Sequence, residues 1–112
     1  MQAFEVTELI EKHNARGELY LEFLRADDLS MGLYRLPAGS DDPQAPHSED
    51  EVYYVVEGRA MINVDGEDRP VRAGSVVYVA ADVPHYFHTI RDDLTVLVFF
   101  APAETEPAGE GQ

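Results

Sequence analysis

The chain of 112 residues contains no cysteine. That excludes disulfides, thiolate metal ligands and a cysteine nucleophile, and it suits a reducing compartment. Basic side chains are scarce, with 8 Lys and Arg against 22 Asp and Glu, for a formal net charge of −14. Nucleic acid and anionic lipid are bound chiefly through Lys and Arg, so neither is an expected partner; the acidic excess serves solubility. Long apolar runs are also missing, and none approaches the length of a membrane span. The N-terminus, M-Q-A-F-E-V-T-E-L-I, has neither the basic start nor the apolar core of a signal segment. The expectation is a cytoplasmic protein of one domain with one core, because an apolar fraction of 45% is ordinary for a globular chain of this length.

What is present is mostly strand-forming. Residues 7–16 predict a short helix, with Thr7 capping its start and Gly17 ending it in a left-handed conformation. Leu9, Ile10 and His13 share one face of it, with His13 at the surface or a rim. Beyond Gly17 the apolar period becomes alternating. Strands are expected at 18–25, with Leu19, Leu21 and Phe23 on one face, and at 30–36, 51–57, 59–64, 69–72, 75–79, 85–89 and 94–100. Three prolines and a glycine make 37–46 a loop, and Asp65-Gly66 suits a hairpin turn with two positive φ angles. About eight short, evenly spaced strands indicate an all-β sandwich or barrel. The domain reading is an N-terminal helix over 1–17, a β-barrel over 18–102 and a disordered acidic tail over 103–112, since nothing large and apolar follows residue 100. Strands 52–56, 76–79 and 94–100 are apolar on both faces, which a sheet with one wet face does not need. Their second face must meet the helix or another subunit, and a homodimer is the simplest expectation.

Chemistry concentrates in H-S-E-D-E (47–51) and V-P-H-Y-F-H (83–88). Alternation in the strand puts Glu51, Tyr53 and Val55 on one face. If that face is interior, Glu51 must be paired or bind a cation, because a lone buried carboxylate is too costly. The competing reading is a solvated acidic loop. His47, Glu51 and His85 converging in a barrel would form a two-histidine, one-carboxylate site with open positions, suited to iron(II) and also accepting Mn, Co, Ni, Cu or Zn. His88 points away from His85 and reads as structural. Tyr53, Tyr78, Phe87 and Phe99 are candidates to line the pocket, and Tyr53 is a candidate proton donor or substrate-orienting group; strand aromatics are otherwise simply core.

These residues resemble the cupin family of small jelly-roll barrels. Its first motif, G-x5-H-x-H-x3-4-E-x6-G, is matched by Gly39, His47, Glu51 and Gly58. Its second, G-x5-P-x-G-x2-H-x3-N, is matched by Gly74 and His85. Four positions depart: Ala45 replaces the first histidine, and Ala80, Asp82 and Thr89 replace the proline, glycine and asparagine of the second motif. Gln44, beside the missing histidine, is a candidate replacement ligand through its amide oxygen. The resemblance therefore implies a cupin-type jelly-roll β-barrel with a divalent transition metal held by His47, Glu51 and His85, with or without Gln44. It implies a metal-dependent enzyme acting on a small organic molecule, dioxygenase-like or of the isomerase or lyase kind, in which Glu51 could also exchange a proton. The alternatives are a non-catalytic module that binds or senses a small ligand, and a purely structural dimeric barrel.

Overall fold

The computed structural model describes residues 1–43 and 45–105. One helix, α1 (Val6–Arg16), precedes eight strands: β1 (Tyr20–Ala26), β2 (Leu29–Leu36), β3 (Asp50–Glu57), β4 (Arg59–Val64), β5 (Glu67–Arg72), β6 (Val76–Val79), β7 (His85–His88) and β8 (Leu94–Ala101). They form a five-stranded sheet of order β1-β2-β8-β3-β6 and a three-stranded sheet of order β5-β4-β7, antiparallel throughout. The expected all-β architecture with one short helix is therefore present. The inner faces close on a core that includes Tyr53, Val55, Ile62, Phe87, Val96 and Phe100.

Gly17 ends the helix as expected, at φ 72°, with its N–H donating to the His13 carbonyl. The start differs. Glu5 occupies the cap position without a side-chain bond, and Thr7 lies inside the first turn. His13 is not at the surface: it is buried, with Nε2 2.7 Å from the Leu19 carbonyl oxygen. That bond fixes the helix against the chain entering β1. Leu9, Leu21 and Leu33 are also buried but lie outside the inner cluster, where the helix packs on β1 and β2. Arg35 joins the layers, donating to Asn14 Oδ1 at 2.7 Å and to Thr95 Oγ1 at 2.9 Å.

The β1 faces correct the sequence reading. Tyr20 points into the inner cluster, while Leu19 is exposed. An irregularity between Glu22 and Leu24 shifts the register with β2, so one alternating stripe cannot run the length of the strand. Tyr78 is 60% exposed, and Phe99 pairs with Val52 and Met31 on the outward-facing row; neither lines the interior. The tail expected from residue 103 is also corrected at its start, because Ala103 and Glu104 are buried; residues 106–112 lie outside the described residues.

Two of the departures from the second motif fall at residues with a left-handed backbone. Asp82 and Thr89 stand where that motif has glycine and asparagine, and both adopt positive φ, 65° and 49°. Asparagine tolerates this region, whereas a β-branched residue is strained in it. Gly58, which closes the first motif, is required for a further reason. A Cβ there would meet the Asp93 carbonyl oxygen at 2.5 Å. Thr89→Asn is expected to stabilise the fold by about 1 kcal/mol, read as a higher urea midpoint; a lower midpoint would show that Thr89 carries no strain.

Candidate functional site

Four buried ionisable side chains from separate parts of the chain meet inside the barrel. Glu51, near the start of β3, faces inward with Tyr53 and Val55, as alternation requires; all three are buried. His85 opens β7, directly after Val83-Pro84. Its Nδ1 lies 2.8 Å from the Val83 carbonyl oxygen, and its Nε2 lies 3.1 Å from Glu51 Oε1. Since a carbonyl only accepts, Nδ1 carries a hydrogen there, and Nε2 is directed at the carboxylate. His47 sits at the end of the long loop. Its backbone carbonyl accepts from Asp82 N–H at 2.7 Å, and its ring packs edge-on against Phe100 at 4.8 Å. The His47 and His85 rings are 6.2 Å apart.

The fourth group is Glu104, which the sequence reading missed. Its side chain is fully buried and places Oε2 3.2 Å from His47 Nδ1. Two more residues went unnoticed. Asp42 accepts from the Phe87 N–H at 2.8 Å and from the Tyr34 hydroxyl, anchoring the loop to β7 and β2. Tyr20 is 2% exposed, and its hydroxyl makes no hydrogen bond among the described residues. Burial raises its pKa, and the charges of Glu104, Glu22 and Glu51 raise it further. An inward aspartate in a loop carries no sequence signal. An inward Tyr20 becomes legible only once the strand's register is known.

The remaining sequence candidates fall as follows. Tyr53 is fully buried, with its ring 5.9 Å from that of His85 and 5.0 Å from that of Phe87. His88 is half-buried, with Nε2 2.9 Å from Asp68 Oδ1, consistent with a structural role. Gln44 lies outside the described residues.

The donors suit a borderline divalent cation in kind. Their spacing is another matter. Among the described residues no three His, Asp or Glu side chains are grouped to hold an ion. Two imidazoles sharing an ion through ordinary bonds would stand with centroids roughly 5 Å apart, so the 6.2 Å separation calls for closure by side-chain rotation. His85 Nε2 and Glu51 Oε1 lie 3.1 Å apart, and the His47 ring packs beside Phe100.

Burial of His85 favours its neutral form. The hydrogen bonds to Glu51 and the Val83 carbonyl, with the charges of Glu51 and Asp42, outweigh that and raise its pKa above the ordinary 6.5. A raised folded-state pKa means that the charged pair contributes stability fully below the unfolded value and loses it as pH rises through the folded one. In metal-free protein, Glu51→Gln should lower the His85 pKa in an NMR titration of its ring protons; an unchanged titration would contradict the pairing.

The cupin domain family model matches residues 32–101. The chain is 52% identical over 105 residues to an uncharacterized protein of Streptomyces coelicolor, covering 94% of this chain and 100% of that one. It is 38% identical over 81 residues to polyketide synthase CurC of Streptomyces cyaneus, covering 70% of this chain and 52% of that protein, so it spans about half the length of that relative. The TT1209 structure from Thermus thermophilus superposes with a TM-score of 0.77 at 23% identity, over 92% of this chain and 99% of that one. The family model covers more than half of the chain, both sheets contribute to the matched segment, and the two histidine motifs fall within it: the chain belongs to the cupin family.

Proposed function

We propose that this cupin binds a divalent transition metal through His47, Glu51 and His85 and acts as a metal-dependent enzyme on a small organic molecule. The observation that carries the reading is the His85–Glu51 pair: a buried imidazole whose Nδ1 is committed to a backbone carbonyl and whose Nε2 faces a buried carboxylate. Metal-ligating histidines are commonly oriented in this way by an acceptor on the far nitrogen. A bound cation would supply Lewis acidity and open positions for a substrate oxygen. His85 and His47 would present Nε2, and Glu51 would present Oε1, leaving its other carboxylate oxygen as the atom that could hold a proton. Tyr53, packed beside His85 and Phe87, would limit the space in which a substrate lies. The metal is drawn from Fe, Mn, Ni, Cu and Zn, and Gln44 remains a candidate further ligand.

The reaction we favour is dioxygenase-like oxidation, with isomerase or lyase chemistry as the other outcomes of the same site. Suitable substrates are compact molecules with adjacent oxygens, such as 1,2-diols, diketones or catechols. The similarity to a protein named as a polyketide synthase supports starting with carbonyl-rich compounds. A second reading, a non-catalytic module for a small ligand, draws support from the absence of a ready-made three-donor group among the described residues. The buried Tyr20 hydroxyl, without a hydrogen-bond partner among the described residues, also suits a ligand pocket. Oxygen consumption by metal-loaded protein with these substrates separates the two readings.

We also propose a homodimer built on the outer face of β3 and β6. Tyr54, Val76 and Tyr78 are 40%, 67% and 60% exposed there, beyond the part of the sheet that the helix covers. No helix among the described residues is long and apolar enough to cross a membrane. The cysteine-free composition supports a reducing cytoplasm as the place of action, and the charge of −14 argues against nucleic acid as a partner.

His85→Ala should abolish stoichiometric binding of Co2+ or Ni2+ in calorimetry; full occupancy in the variant would defeat the ligand assignment. Val76→Asp with Tyr78→Asp should convert a dimer into a monomer in sedimentation at micromolar concentration. A wild-type protein that is monomeric there contradicts the dimer.

A further inference from the structure

The segment after β8 is pinned from three sides. Arg25, held on β1 by two bonds to Glu22 at 2.8 and 3.1 Å, donates to the Glu104 carbonyl oxygen at 2.7 Å. The Glu104 N–H donates to the buried Ser30 Oγ at 2.9 Å. Thr105 donates from both its backbone N–H, at 2.9 Å, and its hydroxyl, at 2.7 Å, to Glu49 Oε2. Glu49 is itself buried and lies two residues from His47 and two from Glu51. Backbone and side-chain bonds thus fix residues 104 and 105 with no contribution from large apolar side chains. What they deliver is one carboxylate, fully buried, 3.2 Å from His47 Nδ1.

Burying a carboxylate in this way is costly unless a donor receives it. The backbone and hydroxyl bonds would hold the segment equally well with alanine at 104, so anchoring alone gives no reason for the acid. The carboxylate accepts only, so a hydrogen bond across the 3.2 Å contact requires the hydrogen on His47 Nδ1. A neutral ring with its hydrogen on Nδ1 carries its lone pair on Nε2. An imidazole in water lacks that constraint, and which nitrogen bears the hydrogen is set by the partner of the other one.

We propose that Glu104 is a positioning residue for the site: it fixes the tautomer and ring orientation of His47, so that Nε2 is the ligating atom. This rests on the metal-binding reading above for its consequence, but not for its structural content. The two histidines are then oriented by different devices. His85 is held by the Val83 carbonyl within its own turn, and His47 by a carboxylate from 57 residues further along the chain. The His47 arrangement couples the site to the folding of the segment after β8, whereas that of His85 is local.

The test uses the full chain as wild type, Glu104→Gln and Glu104→Ala, with two readouts. In metal-free protein at mildly alkaline pH, long-range 1H–15N correlation spectra should show His47 with its hydrogen on Nδ1 in the wild type. In Glu104→Ala that assignment should weaken or reverse, while His85 keeps its own. Glu104→Gln, whose amide oxygen still accepts, should restore most of the wild-type pattern. Calorimetry with Co2+ should show a loss of roughly 10–100-fold in affinity for Glu104→Ala and a smaller loss for Glu104→Gln. A folded Glu104→Ala protein with an unchanged His47 tautomer overturns the proposal, and so does one with wild-type Co2+ affinity. If Glu104→Ala does not fold, the Glu104→Gln protein decides: a His47 signature lacking the Nδ1 hydrogen overturns the proposal, and its retention supports it. Wild-type protein that takes up no Co2+ refutes the metal reading instead, and the tautomer spectra then still decide whether Glu104 positions His47.

Discussion

Four ionisable side chains, His47, Glu51, His85 and Glu104, are each at most 6% exposed inside a small barrel. This is tolerable only because they are matched, with Glu51 against His85 and Glu104 against His47. An isolated carboxylate in such a place would cost several kcal/mol or stay protonated. The pairing sets requirements on everything around it. β3 must present odd-numbered residues inward, β7 must begin at residue 85, and the chain beyond β8 must return to the long loop. A polar interior of this kind adds little net stability compared with an apolar one, so its presence points to function.

The fold supplies these placements with modest means. Register between β3 and its neighbours sets Glu51 opposite Val79 and Phe100, both buried, so the carboxylate is walled by apolar groups. The long loop is fastened at several points, among them by Asp42 to β7 and β2, by the His47 carbonyl to Asp82, and by Glu49 to Thr105. Burial acts to raise the Glu49 pKa, but the bonds from Thr105 and Ser48 hold it below the usual carboxylate range. That fastening is therefore strongest when Glu49 is ionised and weakens as acid protonates it. Asp82 and Thr89 hold positive φ angles, a conformation that glycine or asparagine adopts with less strain than threonine.

Much of this was legible in the residues and some was not, for identifiable reasons. β3 could be read because its alternation is strict, so Glu51, Tyr53 and Val55 fall on one face, and the structure turns that face inward. β1 could not, because Tyr20 and Leu21 are both buried, one in the core and one under the helix. A period of two cannot choose a face when both are covered. Tyr78 and Phe99 were misread for the converse reason, as large aromatics on the outer row of a sheet whose outer face is itself apolar. Glu104 was missed because the criterion for order was large apolar side chains. The segment that carries it is held by hydrogen bonds to Ser30, Arg25 and Glu49, which leave no mark in hydropathy. The motif spacing singles out His47 and His85 as candidates, but their 6.2 Å ring separation and the absence of a ready three-donor group among the described residues could come only from coordinates.

In the function proposed above, two imidazoles and a carboxylate drawn from the loop, β3 and β7 close on one cation. X-ray absorption fine structure of the full chain loaded with one equivalent of Co2+ tests it most directly. The spectrum should show the outer-sphere scattering of two imidazole rings, with nitrogen and oxygen ligands at about 2.0–2.2 Å. A shell of oxygen alone, or scattering from fewer than two imidazoles, would contradict it.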